Sequence, residues 1–223
     1  MPLARFRALA FAGALLAPLS LAAARPRAQA DLLDRAVATW SKVKTARATF
    51  EQTITNSLTG RTVTATGEYQ QQRPGKLSVR FRQPADDRIV ADGSRLWLYL
   101  PSTTPGQVIR TSLKSGGSGT VDLTAQFLTA PRSRYAVSTA GTADVAGRAT
   151  HAYTLVPKQK DGSSFQTATV WIDDADATIR QFEVTEPSGV KRRVRLTSFR
   201  PNAPVDASAF TFTVPEGVRV VDR

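Results

Sequence analysis

Cysteine is absent from the 223 residues and histidine occurs once. The first absence excludes disulfides, thiol catalysis and a lipid-modified cysteine that would tether the chain to a bilayer. The second excludes a pair of imidazoles for a metal. A Gly-x-Ser-x-Gly elbow and a Gly-x-x-x-x-Gly-Lys phosphate loop are also missing, so any directional work must draw its energy from a partner. His151 alternates with Tyr153 and Leu155 and reads as a satisfied or surface histidine. Asp173, Asp174 and Asp176 lack the Gly and the distal Glu of a calcium loop and read as a hairpin turn, and Asp86 and Asp87 after Pro84 read as a turn leading into a strand. No catalytic residue, metal or cofactor is expected, and the chain is not expected to be an enzyme.

Long apolar runs are missing beyond the N-terminus. Arg5 and Arg7 precede an apolar stretch, Ala8 to Ala24, that leads to Ala28-Gln29-Ala30. A positive start, a short hydrophobic run and small residues two apart match a secretory signal peptide, expected over 1–30 with cleavage after Ala30, or after Ala24. Residues 31–223 are then expected to form one exported domain, large enough to be held by its core without disulfides. Its formal charge is +8, because the signal segment carries four of the 30 basic residues and none of the 18 acidic ones. For an exported chain, anionic lipid headgroups or acidic partner proteins suit that charge better than nucleic acid; a solvated surface rich in Arg accounts for it equally.

Leu33, Ala36, Val37, Trp40 and Val43 recur at helical spacing, with Asp31 placed to cap, which predicts one amphipathic helix over 31–46. From Ala48 the period becomes two. Strands are expected at 48–56, 62–72, 76–83, 87–91, 95–100, 107–112, 134–139, 143–146, 150–157, 165–173, 178–186 and 190–200, as a meander of antiparallel hairpins. Ser115-Gly116-Gly117-Ser118-Gly119 reads as a flexible joint before a short helix over 121–129, and Pro204 to Phe210 as a helical turn leading to a last apolar run, Val218-Arg219-Val220. A mainly β sheet of about 11 strands with two or three helices curls on itself, and the helices either cap a cavity or fill it as a dry core.

Along Val63, Ala65, Gly67, Tyr69, Leu77, Val79 and Phe81 the odd positions are apolar and the even ones polar. Arg73 falls on the odd phase. Either it points inward, or the Pro74-Gly75 turn breaks the phase and leaves it in water. An inward guanidinium needs matched acceptors, for which the carbonyls of the Gly-rich cover are candidates; at about 1.5–3 kcal/mol each, such bonds are strong enough to hold a lid and weak enough to be exchanged.

Several stretches, in this order, resemble the LolA family of periplasmic outer-membrane lipoprotein carriers: Phe50-Glu51-Gln52, Gly67, Arg73-Pro74-Gly75-Lys76-Leu77, Gln83-Pro84, Ile89 to Gly93, Leu96-Trp97-Leu98-Tyr99 and Phe210 to Val218. The resemblance implies an unclosed half-barrel covered by a helical lid. It also implies a monomeric carrier that takes triacylated lipoprotein cargo from an ATP-driven inner-membrane transporter and passes it to an outer-membrane acceptor lipoprotein. Arg73 is then the lid latch, and Phe50, Tyr69, Leu77, Val79, Phe81, Ile89, Leu96 and Leu98 form the acyl-chain cavity. Leu123, Phe127 and Leu128 are then residues of the lid helix. Leu77 and Val79 stand at positions typically aromatic in the family. The sister acceptor LolB carries a lipid-modified cysteine, which this chain lacks. Lys191, Arg192, Arg193 and Arg195 form a basic stretch that would steer partners or simply be solvated. A related half-barrel for another lipid or glycolipid, an envelope-stress sensor of the same fold, and an exported lipid or glycan hydrolase are the rival readings.

Overall fold

The computed structural model describes residues 25–113, 122 and 124–223, with side chains described from residue 32. Most of the expected signal segment, the joint at Ser115–Gly119, and Val121 and Leu123 of the expected lid helix lie outside the described residues.

Helix α1 spans Arg25–Ser41, earlier than the predicted 31–46, so Asp31 lies inside the helix and not at its cap. The early end has a tertiary cause. Lys44 N–H donates to Asn202 Oδ1 at 2.9 Å, and the Lys44 carbonyl accepts from Arg73 N–H at 2.9 Å, which draws the chain into the sheet. Twelve strands follow: β1 (Thr45–Asn56), β2 (Thr62–Gln72), β3 (Lys76–Gln83), β4 (Arg88–Asp92), β5 (Arg95–Tyr99), β6 (Gln107–Ser112), β7 (Tyr135–Val145), β8 (Arg148–Pro157), β9 (Thr167–Asp173), β10 (Ile179–Thr185), β11 (Val190–Pro201) and β12 (Arg219–Asp222). Among the described residues between β6 and β7 are two single-turn helices, α2 (Ala125–Leu128) and α3 (Pro131–Arg134), and a 3₁₀ turn at Ala207–Phe210 precedes β12.

The strands form one sheet in the order β12-β6-β5-β4-β3-β2-β1-β11-β10-β9-β8-β7. It is two meanders, β1–β6 and β7–β11, joined where β1 pairs with β11 from Ala46↔Pro201 to Asn56↔Val190. β7 and β12 form the two ends without pairing to each other, so the sheet is unclosed. Two strand expectations change. The segments 134–139 and 143–146 are one strand with a bulge between Thr139 and Thr142, where Gly141 takes a φ of +91° and absorbs the one extra residue. The last apolar run departs from the antiparallel meander, because β12 adds to β6 in parallel, Arg219 opposite Gln107.

Alternation divides the sheet into two apolar faces. On the concave one, Leu33, Ala36 and Trp40 of α1 pack with Ala46, Ala48 and Phe50 of β1, Ile172 of β9 and Ile179 of β10. On the convex one, Val90, Trp97 and Val108 are covered by Phe212, Val214, Val218 and Val220 of the C-terminal segment. Phe212 stacks on Trp97 with ring centroids 5.4 Å apart.

Candidate functional site

The concave face holds a cavity of about 300 Å³. Its position follows from the register. In one cross-strand row Tyr69 stands opposite Val79 and Val79 opposite Ile89; in the next, Phe50 and Phe81 flank Gly67. Phe50, Tyr69, Val79, Phe81 and Ile89 line the cavity, and Phe50 meets Phe81 edge to face at 5.6 Å. Gly67 is required here: a Cβ would sit 2.6 Å from the Arg80 carbonyl oxygen and 2.7 Å from the Phe50 ring.

Leu77, Leu96 and Leu98 stand on the same face but do not line the cavity. Leu77 and Leu96 belong to the neighbouring row, with Gln71 and Ala91, and pack in the concave core. Leu98 pairs with Ile89 one strand further out, where the sheet has passed the cavity. The opposite wall comes from the second meander: Ile179, Phe182 and Val184 of β10 and Val194, Leu196 and Phe199 of β11. Phe182 and Val184, and Val194 and Leu196, alternate as β3 does, but bulges put Ile179 and Phe199 off that phase, and the place of all six across from Phe50 depends on the long-range pairing of β1 with β11.

The cover is α2. Phe127 and Leu128 are buried, and Phe127 packs on Phe182 and Phe165 at 5.2 and 5.9 Å. Thr124 and Gln126 complete the inner surface of the cover, while Gln52, Ser164, Glu186 and Arg192 add polar groups to the rim. Arg192 donates to Glu186 Oε1 at 3.2 Å there.

Arg73 points inward, so the Pro74-Gly75 turn leaves its phase intact. Its partner is a carboxylate as well as a carbonyl. Nε and Nη2 donate to Asp122 Oδ2 at 3.1 and 3.0 Å, and Nη1 donates to the Trp40 carbonyl at 2.9 Å. The guanidinium carbon also lies 4.5 Å from the centre of the Trp40 ring, at cation–π distance. The expected acceptors, the carbonyls of the Gly-rich joint, lie outside the described residues. Asp122 is the residue that the sequence reading missed, although an Asp two residues before an apolar turn is a recognisable helix-start signal. Its Oδ1 accepts from the N–H groups of Thr124 and Ala125 at 3.1 and 2.9 Å, so the carboxylate that binds Arg73 also organises the first turn of the cover. Gln71 was missed too: it continues the odd phase of Tyr69 and donates to Asp122 Oδ2 at 2.7 Å. Burial pushes the Tyr69 hydroxyl well above the ordinary tyrosine range, with the Asp122 charge adding to the rise and Arg73 opposing it.

The other polar clusters are structural. Asp173, almost fully buried, accepts from Arg148 Nε at 2.5 Å, Arg180 Nε at 2.8 Å and Ala175 N–H at 2.9 Å. Burial alone would raise its carboxyl; the hydrogen bonds from Arg148, Ala175 and Arg180 outweigh that and hold it at about 2. His151 Nδ1 lies 2.5 Å from Asp174 Oδ1 in the same hairpin. Asp87 accepts from the N–H and hydroxyl of Ser102 at 3.1 and 2.6 Å, pinning one turn against another. Of the basic stretch, Arg192 faces the cavity rim, Arg193 is paired with Glu183 at 2.6 Å and Arg195 with Glu51, so much of its charge is matched within the sheet.

Comparison with known proteins adds to this geometry. Residues 41–213 match the family model described as "Outer membrane lipoprotein carrier protein LolA". The outer-membrane lipoprotein carrier protein of Klebsiella pneumoniae (strain 342) is 30% identical over 217 residues, covering 96% of this chain and 98% of that protein. Its counterpart in Proteus mirabilis (strain HI4320) is 31% identical over 184 residues, covering 82% and 84%. Among solved structures, lipoprotein LppX of Mycobacterium tuberculosis superposes with a TM-score of 0.50 at 15% identity, over 82% of this chain and 100% of that one, a likeness of fold alone.

Proposed function

The chain belongs to the LolA family of outer-membrane lipoprotein carriers, and from that premise we propose that it is a non-enzymatic periplasmic carrier, exported by a cleaved signal peptide over 1–30. It takes up the acyl chains of lipoproteins released by an inner-membrane ATP-driven transporter and delivers them to an outer-membrane acceptor. What supports this reading is an apolar cavity covered, among the described residues, by a short helix that the Arg73–Asp122 ion pair helps to hold. At about 0.8 kcal/mol per methylene, exposing one acyl chain of roughly fifteen methylenes to water would cost on the order of 12 kcal/mol. Cargo therefore moves only by direct contact between cavities, with energy supplied by the partners. A cavity of about 300 Å³ is at the lower end for a single small ligand, so several chains enter only with the cover raised.

Arg73 is proposed as the catch. With the cover closed it ties the cover, through Asp122, to the end of α1, through Trp40. Loading breaks these bonds, and their recovery on closing helps expel the cargo. Arg73→Leu should load normally but deliver at least tenfold more slowly to the acceptor, because closing no longer regains charged hydrogen bonds. Normal delivery by that variant removes Arg73 from the mechanism. The carrier reading as a whole is tested with the protein lacking 1–30, added to inner-membrane spheroplasts that hold radiolabelled lipoprotein and the cognate transporter. ATP-dependent release of label into the soluble fraction is the expected result, and its absence sinks the reading.

A further inference from the structure

The Arg73–Asp122 contact has a branch that reaches the cavity wall. Tyr69 borders the cavity with its ring and donates its hydroxyl to Gln71 Oε1. Gln71 Nε2 donates to Asp122 Oδ2, the oxygen that Arg73 grips. The direction of this chain is set by its ends. A carboxylate only accepts, so the amide nitrogen of Gln71 must face Asp122; the amide oxygen then faces Tyr69, which has to donate. Gln71 and Asp122 are 3% and 5% exposed, so water cannot readily replace either partner.

We propose that Tyr69 and Gln71 are positioning residues that report occupancy of the cavity to the latch. An acyl chain seated against the Tyr69 ring draws its hydroxyl away from Gln71. The amide oxygen of Gln71, left unmatched in a buried site, no longer fixes that side chain, so Gln71 Nε2 releases Asp122 Oδ2 and the carboxylate is held less firmly for Arg73 and for the N–H groups of Thr124 and Ala125. Loading from the cavity side thus loosens the catch and the first turn of the cover together, without the cargo touching Arg73. The identity of the occupant rests on the carrier reading; the coupling of Tyr69 to the cover does not.

The test is hydrogen exchange of the Thr124 and Ala125 amides in the protein lacking 1–30, with and without a synthetic tripalmitoylated peptide. Tyr69→Phe keeps the ring against the cavity and removes only the hydroxyl. In the wild type the peptide should accelerate exchange at these two amides by roughly tenfold to a hundredfold, the change expected for one hydrogen bond to a buried charge. In Tyr69→Phe the acceleration should already be present without peptide, and peptide should add little. Gln71→Leu should behave alike, and the double variant should be no faster than either single one, since both break one chain. Exchange in Tyr69→Phe that equals the wild type, empty and loaded, overturns the proposal. So does acceleration spread evenly over the β-sheet amides, which would mark general destabilisation. A wild type that binds no peptide overturns the carrier reading, while the empty-state comparison still decides whether Tyr69 and Gln71 hold the cover.

Discussion

The two faces of the sheet are both apolar and both covered, yet the apolar cavity lies on the concave one, whereas the space under the C-terminal segment on the convex one is lined mainly by polar side chains. The convex core is sealed by a segment locked in place: β12 hydrogen-bonds along β6, Phe212 stacks on Trp97, and Arg110 grips Asp222 through Nε and Nη2 at 2.6 and 2.7 Å. On the concave side, the cavity is roofed by a four-residue helix whose polar attachment includes one ion pair. A helix that short has no independent stability, so its place depends on Phe127, Leu128 and the Asp122 contacts. One face is built to stay shut. The cover of the other is held by few contacts.

The largest effect should come from breaking the permanent side. Trp97→Ala removes a buried ring from the convex core and should lower stability by about 3–5 kcal/mol, read as a fall in the urea midpoint. Exchange at the Thr124 and Ala125 amides should be spared relative to that loss; equal sensitivity would show that the two faces are one cooperative unit. Next in size, Gly67→Ala forces a Cβ into the Arg80 carbonyl and the Phe50 ring, and should cost about 1–3 kcal/mol while driving Phe50 into the cavity. Binding of a tripalmitoylated peptide should weaken along with the unfolding midpoint; unchanged binding would place the acyl chains elsewhere.

The smallest of the three concerns the fixed end of the concave face, where the Asp173 hairpin meets α1 through Arg35 Nη2 and the Ala175 carbonyl at 3.4 Å. Asp173 has a folded value of about 2, below its unfolded value of roughly 4, so its stabilisation is complete above pH ~4 and is lost as pH falls through about 2. Asp173→Asn should cost about 2 kcal/mol at pH 7, only a fraction of that near pH 2 and nothing well below it. A pH-independent difference between the two proteins would mean that the loss is one of packing and not of charge.

Much of the near wall of the cavity was legible. Alternation alone puts Tyr69, Val79 and Phe81 on one face, and Arg73 on the same phase, because the period of a strand is a local property. The far wall was not legible, since Phe182, Val194 and Leu196 reach the cavity only through the pairing of β1 with β11, whose residues lie about 140 positions apart. Leu77 and Leu96 show the converse limit: phase selects the face, but it does not tell a residue beside the cavity from one a row deeper in the core. Asp122 carried a local signal as a helix-start residue, whereas its pairing with Arg73 is a meeting of two distant loops.

By itself the sequence determined the mainly β architecture, the hairpin turns and the odd phase on which Arg73 falls, since each follows from patterns a few residues long; that Arg73 points inward was settled by its tertiary partners. It also determined that no disulfide contributes, because there is no cysteine. Only the tertiary structure decided that β12 runs parallel to β6, that the two meanders close opposite walls around one space, and that a carboxylate serves Arg73, Gln71 and the cover at once. Those outcomes depend on contacts between distant parts of the chain. Their energies come from burying surfaces and matching charges that no local pattern brings together.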